Sequence, residues 1–164
     1  YLSRRFGAAM LACVDARVPP EIILGQGVDD LLTVRTAGQS IHGVALGSIE
    51  FGAQVLGVPL VVVLGHTGCG AVLAALTGDR PDGALGELIG EVAERLHDVV
   101  GGEDPVRATG GNLQATVDVL RRVGTLRNED GPAYVGGLLY DMATGEVTVT
   151  DDAGLLPRGK VAES

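Results

Sequence analysis

The stretch Leu60-Val61-Val62-Val63-Leu64-Gly65-His66-Thr67-Gly68-Cys69-Gly70 decides how this chain folds. An unbroken β-branched run without polar alternation is a strand covered on both faces, as in parallel sheets. Two further runs of that kind precede it, over residues 8–14 and 31–35. Between the second and third, residues 40–56 place Ile41, Val44, Ala45, Ile49, Val55 and Leu56 at helical spacing. Ser40 is the expected N-cap, and Gly57-Val58-Pro59 is the stop. Strand, helix, strand in that order predicts a right-handed parallel crossover.

Working outward, residues 69–76 read as a short helix closed by Gly78. Residues 85–100 form the clearest amphipathic pattern. Leu85, Leu88, Ile89, Val92, Leu96 and Val99 make its apolar stripe, while Glu87, Glu91, Glu94 and Asp98 read as a solvated face. Residues 113–123 read as a further helix capped by Asn112. Residues 133–140 and 147–150, joined through Met142-Ala143-Thr144-Gly145, read as a terminal hairpin. The expected fold is α/β: a mostly parallel central sheet of four to five strands, flanked by helices and ending in a C-terminal hairpin. No internal repeat or low-complexity linker interrupts it, so residues 1–164 read as one domain.

Composition removes several function classes. The chain has 164 residues, with 12 Lys+Arg against 21 Asp+Glu and a net charge of −9. A nucleic-acid binder needs a basic face to neutralise phosphates, so no nucleic-acid partner is expected. The longest apolar stretch, residues 58–64, falls far short of the roughly 20 residues that span a bilayer. No basic start leads into an apolar run, and a cytoplasmic location is the expectation. Hydrophobic residues make up 46% of the chain, enough for a substantial core, yet aromatics are only 3%. Packing therefore falls to Val, Leu, Ile and Ala.

Cys13 and Cys69 are the only cysteines. Two thiols in such a chain point to metal binding or catalysis rather than to a disulfide scaffold. Cys13 follows the first strand; His66 and Cys69 follow the third. Sites in open parallel sheets form at the carboxyl ends of strands, so these groups can converge across the sequence. Two thiolates and an imidazole suit Zn2+, with a fourth position left open as in catalytic zinc sites. Asp15 is placed to accept a hydrogen bond from a zinc-bound water or to ligate the metal itself, and Arg17 to hold Asp15 ionised. Each piece alone has a plainer reading. A single Cys in a strand is usually core, and Asp-x-Arg is usually a local ion pair. Both cysteines at strand ends, one of them three positions from a His, make the stronger case.

Cys13-Val14-Asp15-Ala16-Arg17-Val18-Pro19 and Gly65-His66-Thr67-Gly68-Cys69-Gly70 resemble the two signature segments of the β-class carbonic anhydrases. Val34-Arg35-Thr36-Ala37-Gly38 resembles that family's second strand and turn, and Gly137-Leu138-Leu139-Tyr140-Asp141 its final hairpin. The resemblance implies zinc at Cys13, His66 and Cys69, an Asp15–Arg17 dyad, and reversible hydration of carbon dioxide to bicarbonate and a proton. Asp15 is implied as a fourth ligand in a closed state of the site. The resemblance also implies a homodimer or tetramer, although the N-terminal arm of the family is short or missing here. Gln26 stands one position from a substrate-binding Gln of plant-type members, and Gly70 lets the backbone approach substrate. Met10 occupies the place of a Trp that marks a bicarbonate inhibitory site in one subgroup, so that form of the site is not expected.

Other readings compete. Carbonyl sulfide or carbon disulfide would suit the same zinc site, and no residue separates these linear substrates from carbon dioxide. A catalytically silent, zinc-stabilised oligomerisation domain would favour loss of Asp15 or Arg17, and both are present. A redox dithiol is weak without a Cys-x-x-Cys arrangement. His42 is expected to be exposed at a helix start, and His97 to sit late in the acidic helix, where a cation suits the dipole.

Overall fold

All of β1 (Ala8–Ala12) is buried. It pairs in parallel with β2 (Leu31–Arg35) on one side and with β3 (Leu60–His66) on the other. A computed structural model describes residues 6–78, 80–96 and 104–150. Among these, β6 (Tyr134–Tyr140) adds to β3 in parallel, and β7 (Val147–Val149) returns antiparallel along β6. The sheet order is β2-β1-β3-β6-β7, a mostly parallel sheet with a terminal hairpin, as the sequence predicts. A small antiparallel pair, β4 (Arg127–Asn128) with β5 (Gly131–Pro132), is too short to leave a hydrophobic pattern.

The helices are α1 (Pro20–Ile23), α2 (Val44–Gln54), α3 (Gly70–Thr77), α4 (Ala84–Leu96) and α5 (Pro105–Arg121). Ala9, Leu11, Val61 and Val63 face Ile49 and Ala53 of α2 together with Leu113, Val117 and Leu120 of α5. Each fully buried Leu there contributes roughly 1.5–3 kcal/mol of transfer free energy. The backbone of Gly65 lets α5 lie close, since a Cβ there would stand 3.3 Å from Leu113. Met10, Ala12, Val62 and Leu64 face the other way, against Ile23, Leu24 and Leu138. A further cluster joins Cys13, Val18 and Cys69 to Val72 of α3 and to Ile89 and Val92 of α4.

Two helix starts differ from the sequence reading. Residues 37–39 form a 3-10 turn, Ser40 is extended, and α2 begins only at Val44. Ser40 is therefore no N-cap; its Oγ donates to the Glu91 carboxylate on α4. The last long helix starts at Pro105, where Asp104 caps it by accepting from the Val106 N–H at 2.9 Å. Pro at the first helical position supports that start. Asn112 thus lies inside α5 and is fully buried, not at its end. Glu91 is not a solvated-face residue, because Ser40, the Ile41 N–H and Arg95 all bond its carboxylate. His97, Asp98 and Val99 lie outside the described residues.

Candidate metal centre

From β1 the chain passes to β2 on one side, and from β3 it proceeds towards β6 on the other. The two outgoing loops part between β1 and β3, which is where an open parallel sheet forms its crevice. Cys13 is the first residue beyond β1, and His66 is the last of β3. Ala12 pairs with Leu64, so the two strand ends lie side by side. The turn after His66 is anchored on the end of β6: the Thr67 N–H donates to Tyr140 O, and the Met142 N–H to Thr67 Oγ1, both at 3.0 Å. Gly68 takes φ +68, a left-handed turn that brings Cys69 to the N-cap of α3.

The three expected donors converge. Cys13 Sγ and Cys69 Sγ are 3.9 Å apart, and a ring nitrogen of His66 lies within 4.8 Å of both. A tetrahedral ion with metal–sulfur bonds near 2.3 Å would hold two sulfurs about 3.8 Å apart, so the spacing fits. His66 Nδ1 lies 3.0 Å from Thr67 O, which assigns its proton to Nδ1 and leaves a lone pair on Nε2. That Nε2 is buried and has no hydrogen-bond partner among the described residues. A buried, unpartnered nitrogen beside two thiols is costly unless something binds it. The donor set fits a metal ion of borderline softness.

The charges fit as well. The Cys69 thiol is hydrogen-bonded to Cys13 and holds the Cys13 thiol down at about 4, helped by His66 and by the backbone at Asp15 and Gly38. The same contact, together with burial, pushes Cys69 up. One proton is thus shared between the sulfurs. Burial disfavours the His66 cation, but the neighbouring Cys13 thiolate draws its pKa upward overall. A cation in the cluster would displace these protons.

Asp15 and Arg17 form the expected pair just outside the cluster. Asp15 Oδ1 accepts from the Arg17 backbone N–H at 3.0 Å and from Nε at 2.9 Å, while Oδ2 accepts from Nη2 at 2.6 Å. These contacts hold the carboxyl well below the usual range. The carboxylate is turned to Arg17 and is not among the clustered donors. The sequence reading missed Arg35. Its Nε donates to Cys13 O at 2.8 Å and its Nη2 to Asp15 O at 2.5 Å, which clamps the Cys13–Asp15 loop. The only signal for that role is strand register, since Arg35 lies opposite Ala12.

Gly70 opens α3, and a Cβ there would meet nothing within 4 Å. Gln26 is exposed, and its Nε2 donates to Leu24 O within its own loop, so in this chain it is not brought to the donors. His42 is exposed as expected, 3.6 Å from Glu91. Met10 is buried in the sheet. A wider surface groove between α4 and α5 includes His42, Glu94 and Asp118 but none of the three donors.

A family model described as carbonic anhydrase matches residues 8–147. Carbonic anhydrase 2 of Mycobacterium tuberculosis is 35% identical over 158 residues, covering 90% of this chain and 75% of that protein. The carbonic anhydrase of Mycolicibacterium smegmatis is 45% identical over 98 residues, covering 57% of this chain and 48% of its own length. Among solved structures, the β-carbonic anhydrase CafA of Aspergillus fumigatus superposes with a TM-score of 0.76 at 27% identity, covering 89% of this chain and 76% of that one. A tetrameric β-carbonic anhydrase of Sordaria macrospora gives 0.75 at 25% identity, covering 89% and 81%.

Proposed function

The chain belongs to the β-class carbonic anhydrase family, and from that membership we propose that it catalyses reversible hydration of carbon dioxide at a zinc ion held by Cys13, His66 and Cys69. The observation that carries this reading is the convergence of two thiols and a ring nitrogen of His66, whose buried Nε2 has no hydrogen-bond partner among the described residues. Two thiolates and a neutral imidazole would balance the charge of Zn2+. Held by these three residues, zinc would supply Lewis-acid chemistry that makes a nucleophile available near neutral pH.

The chain's own residues supply the rest. Asp15, kept ionised by Arg17, can accept a hydrogen bond but cannot donate one. It therefore orients a hydrogen-bearing nucleophile by taking its O–H. Arg35 keeps the Asp15 backbone fixed relative to Cys13. Gly68 and Gly70 leave open space beside Cys69, which suits a small linear substrate.

A homodimer or tetramer is part of the proposal. The Sordaria macrospora relatives are described as tetrameric, and Val44 and Phe51 of α2, with Val55 at its C-cap, are exposed apolar residues. Elemental analysis combined with stopped-flow carbon dioxide hydration tests the whole reading. One zinc per chain and fast hydration, both lost in Cys13→Ser, are expected. Absence of zinc from active protein contradicts it.

A further inference from the structure

Thr67 joins the donor His66 to the C-terminal hairpin. His66 lies opposite Tyr140 in the register of β3 with β6. One residue on, the Thr67 N–H donates to Tyr140 O, and Thr67 Oγ1 accepts from the Met142 N–H, both at 3.0 Å. Thr67 is thus mounted at two points, by its backbone and by its side chain, on one short segment. That segment is itself braced. The Asp141 N–H donates to Glu146 O at 2.8 Å, and Asp141 Oδ1 accepts from the N–H groups of Ala143 at 2.7 Å and Thr144 at 3.1 Å. Tyr140 and Met142 also pack against the buried cluster that contains Cys13 and Cys69.

What this mount holds is the Thr67 carbonyl, the acceptor 3.0 Å from His66 Nδ1. The carbonyl belongs to the peptide shared with Gly68, which has φ +68 and open space where a Cβ would stand. Glycine leaves such a peptide free to rotate, so the turn alone does little to keep the carbonyl on the ring. A β-branched side chain fixed at its hydroxyl restricts the backbone that carries it. We propose that Thr67 is a positioning residue for the metal centre: its hydroxyl, held by the Met142 N–H, aims its own carbonyl at Nδ1, which keeps the His66 proton there and the lone pair on Nε2. The outer partner of a metal-binding imidazole fixes tautomer and ring orientation in this way. The inference rests on the zinc reading above.

The test uses the full chain with Thr67→Val, which keeps the shape but removes the acceptor, and Thr67→Ser, which retains a hydroxyl. Leu120→Ala is the control, fully buried in the core between the sheet and α5. Zinc affinity is measured by chelator competition. The His66 tautomer is read by long-range proton–nitrogen correlation NMR in metal-free protein at alkaline pH. Thr67→Val should bind zinc about 10–100-fold more weakly and show both ring tautomers. Thr67→Ser should match wild type in both readouts, and Leu120→Ala should lose stability alone. Wild-type affinity and a single Nδ1–H tautomer in folded Thr67→Val would overturn the proposal, as would equal losses in Thr67→Val and Thr67→Ser.

Should Thr67→Val fail to fold, hydrogen exchange on the wild-type chain decides. Coupling is reciprocal, so zinc should slow exchange of the Met142 amide more than that of Gly145, which bonds Asp141 O within the same turn. Equal slowing of the two, or none, overturns the proposal. Failure of the underlying zinc reading looks different: wild-type protein would bind no zinc, while Thr67→Val would still change the tautomer of the metal-free ring.

Discussion

Arg17 grips Asp15 through three N–H groups, its own backbone N–H and two from its guanidinium, at 3.0, 2.9 and 2.6 Å. Arg17 is itself largely exposed, so the contact draws its value for stability from geometry rather than from burial. Its effect on the site is larger. It turns the carboxylate away from the three clustered donors and keeps it a pure acceptor.

Arg17→Ala should therefore stay folded and keep its zinc, while turnover falls about 10²–10⁴-fold, the usual weight of a misplaced proton acceptor. Released from Arg17, Asp15 is free to turn towards the metal and close its open position. Zinc content and stopped-flow rates on the same sample check this. Normal turnover in folded, zinc-loaded Arg17→Ala would reduce Arg17 to a packer of the turn.

Glu91 gives a pH prediction. Burial alone raises its carboxyl, but Ser40, the Ile41 N–H and Arg95 together hold it below the ordinary range. A depressed carboxyl stabilises the fold above its unfolded-state pKa, about 4.3, and that contribution is lost as pH falls through the lower folded value. The stability advantage of wild type over Glu91→Gln should thus be full, at about 3 kcal/mol, above pH ~5 and shrink below pH ~4. Urea unfolding across that range measures it. A gap that stays constant down to strongly acidic pH would contradict the assignment.

Much of this was legible in the sequence, for identifiable reasons. The strands at residues 8–12, 31–35 and 60–66 announce themselves because a doubly covered strand cannot carry polar alternation. Cys13, His66 and Cys69 stand out because their chemistry coincides with strand ends. What stayed hidden depends on tertiary partners. Glu91 reads as a solvated residue until Ser40 and Ile41 arrive from a loop some fifty positions away. Asn112 reads as a cap because the polar stretch before it conceals the first turns of α5. Arg35 owes its role to the register between β1 and β2, and nothing local encodes that.

Gly38→Ala tests the crowded turn. A Cβ there would stand 3.0 Å from both Ala71 Cβ and Val92 Cγ2, at a left-handed φ. Strain and overpacking together should cost about 2–4 kcal/mol. Denaturant midpoints at unchanged slope report it. A loss below about 1 kcal/mol would show that the turn yields easily.

Val44 and Phe51 of α2, with Val55 at its C-cap, are exposed apolar residues next to the groove that α2 forms with β2, an edge strand of the sheet. If these residues meet another subunit, Phe51→Glu should shift the assembly towards smaller species in light scattering. An unchanged even oligomer in that variant would move the interface elsewhere.

The most direct measurement is carbon dioxide hydration by stopped flow, with zinc content determined on the same preparation. Wild-type protein should carry one zinc per chain and accelerate hydration, with activity rising from neutral to alkaline pH. Asp15 is already ionised throughout that range, so Asp15→Asn should depress activity at every pH rather than displace the profile. Cys13→Ser should lose both zinc and activity. Rapid hydration by protein that holds no zinc, or full zinc content and turnover in Cys13→Ser, would contradict the account.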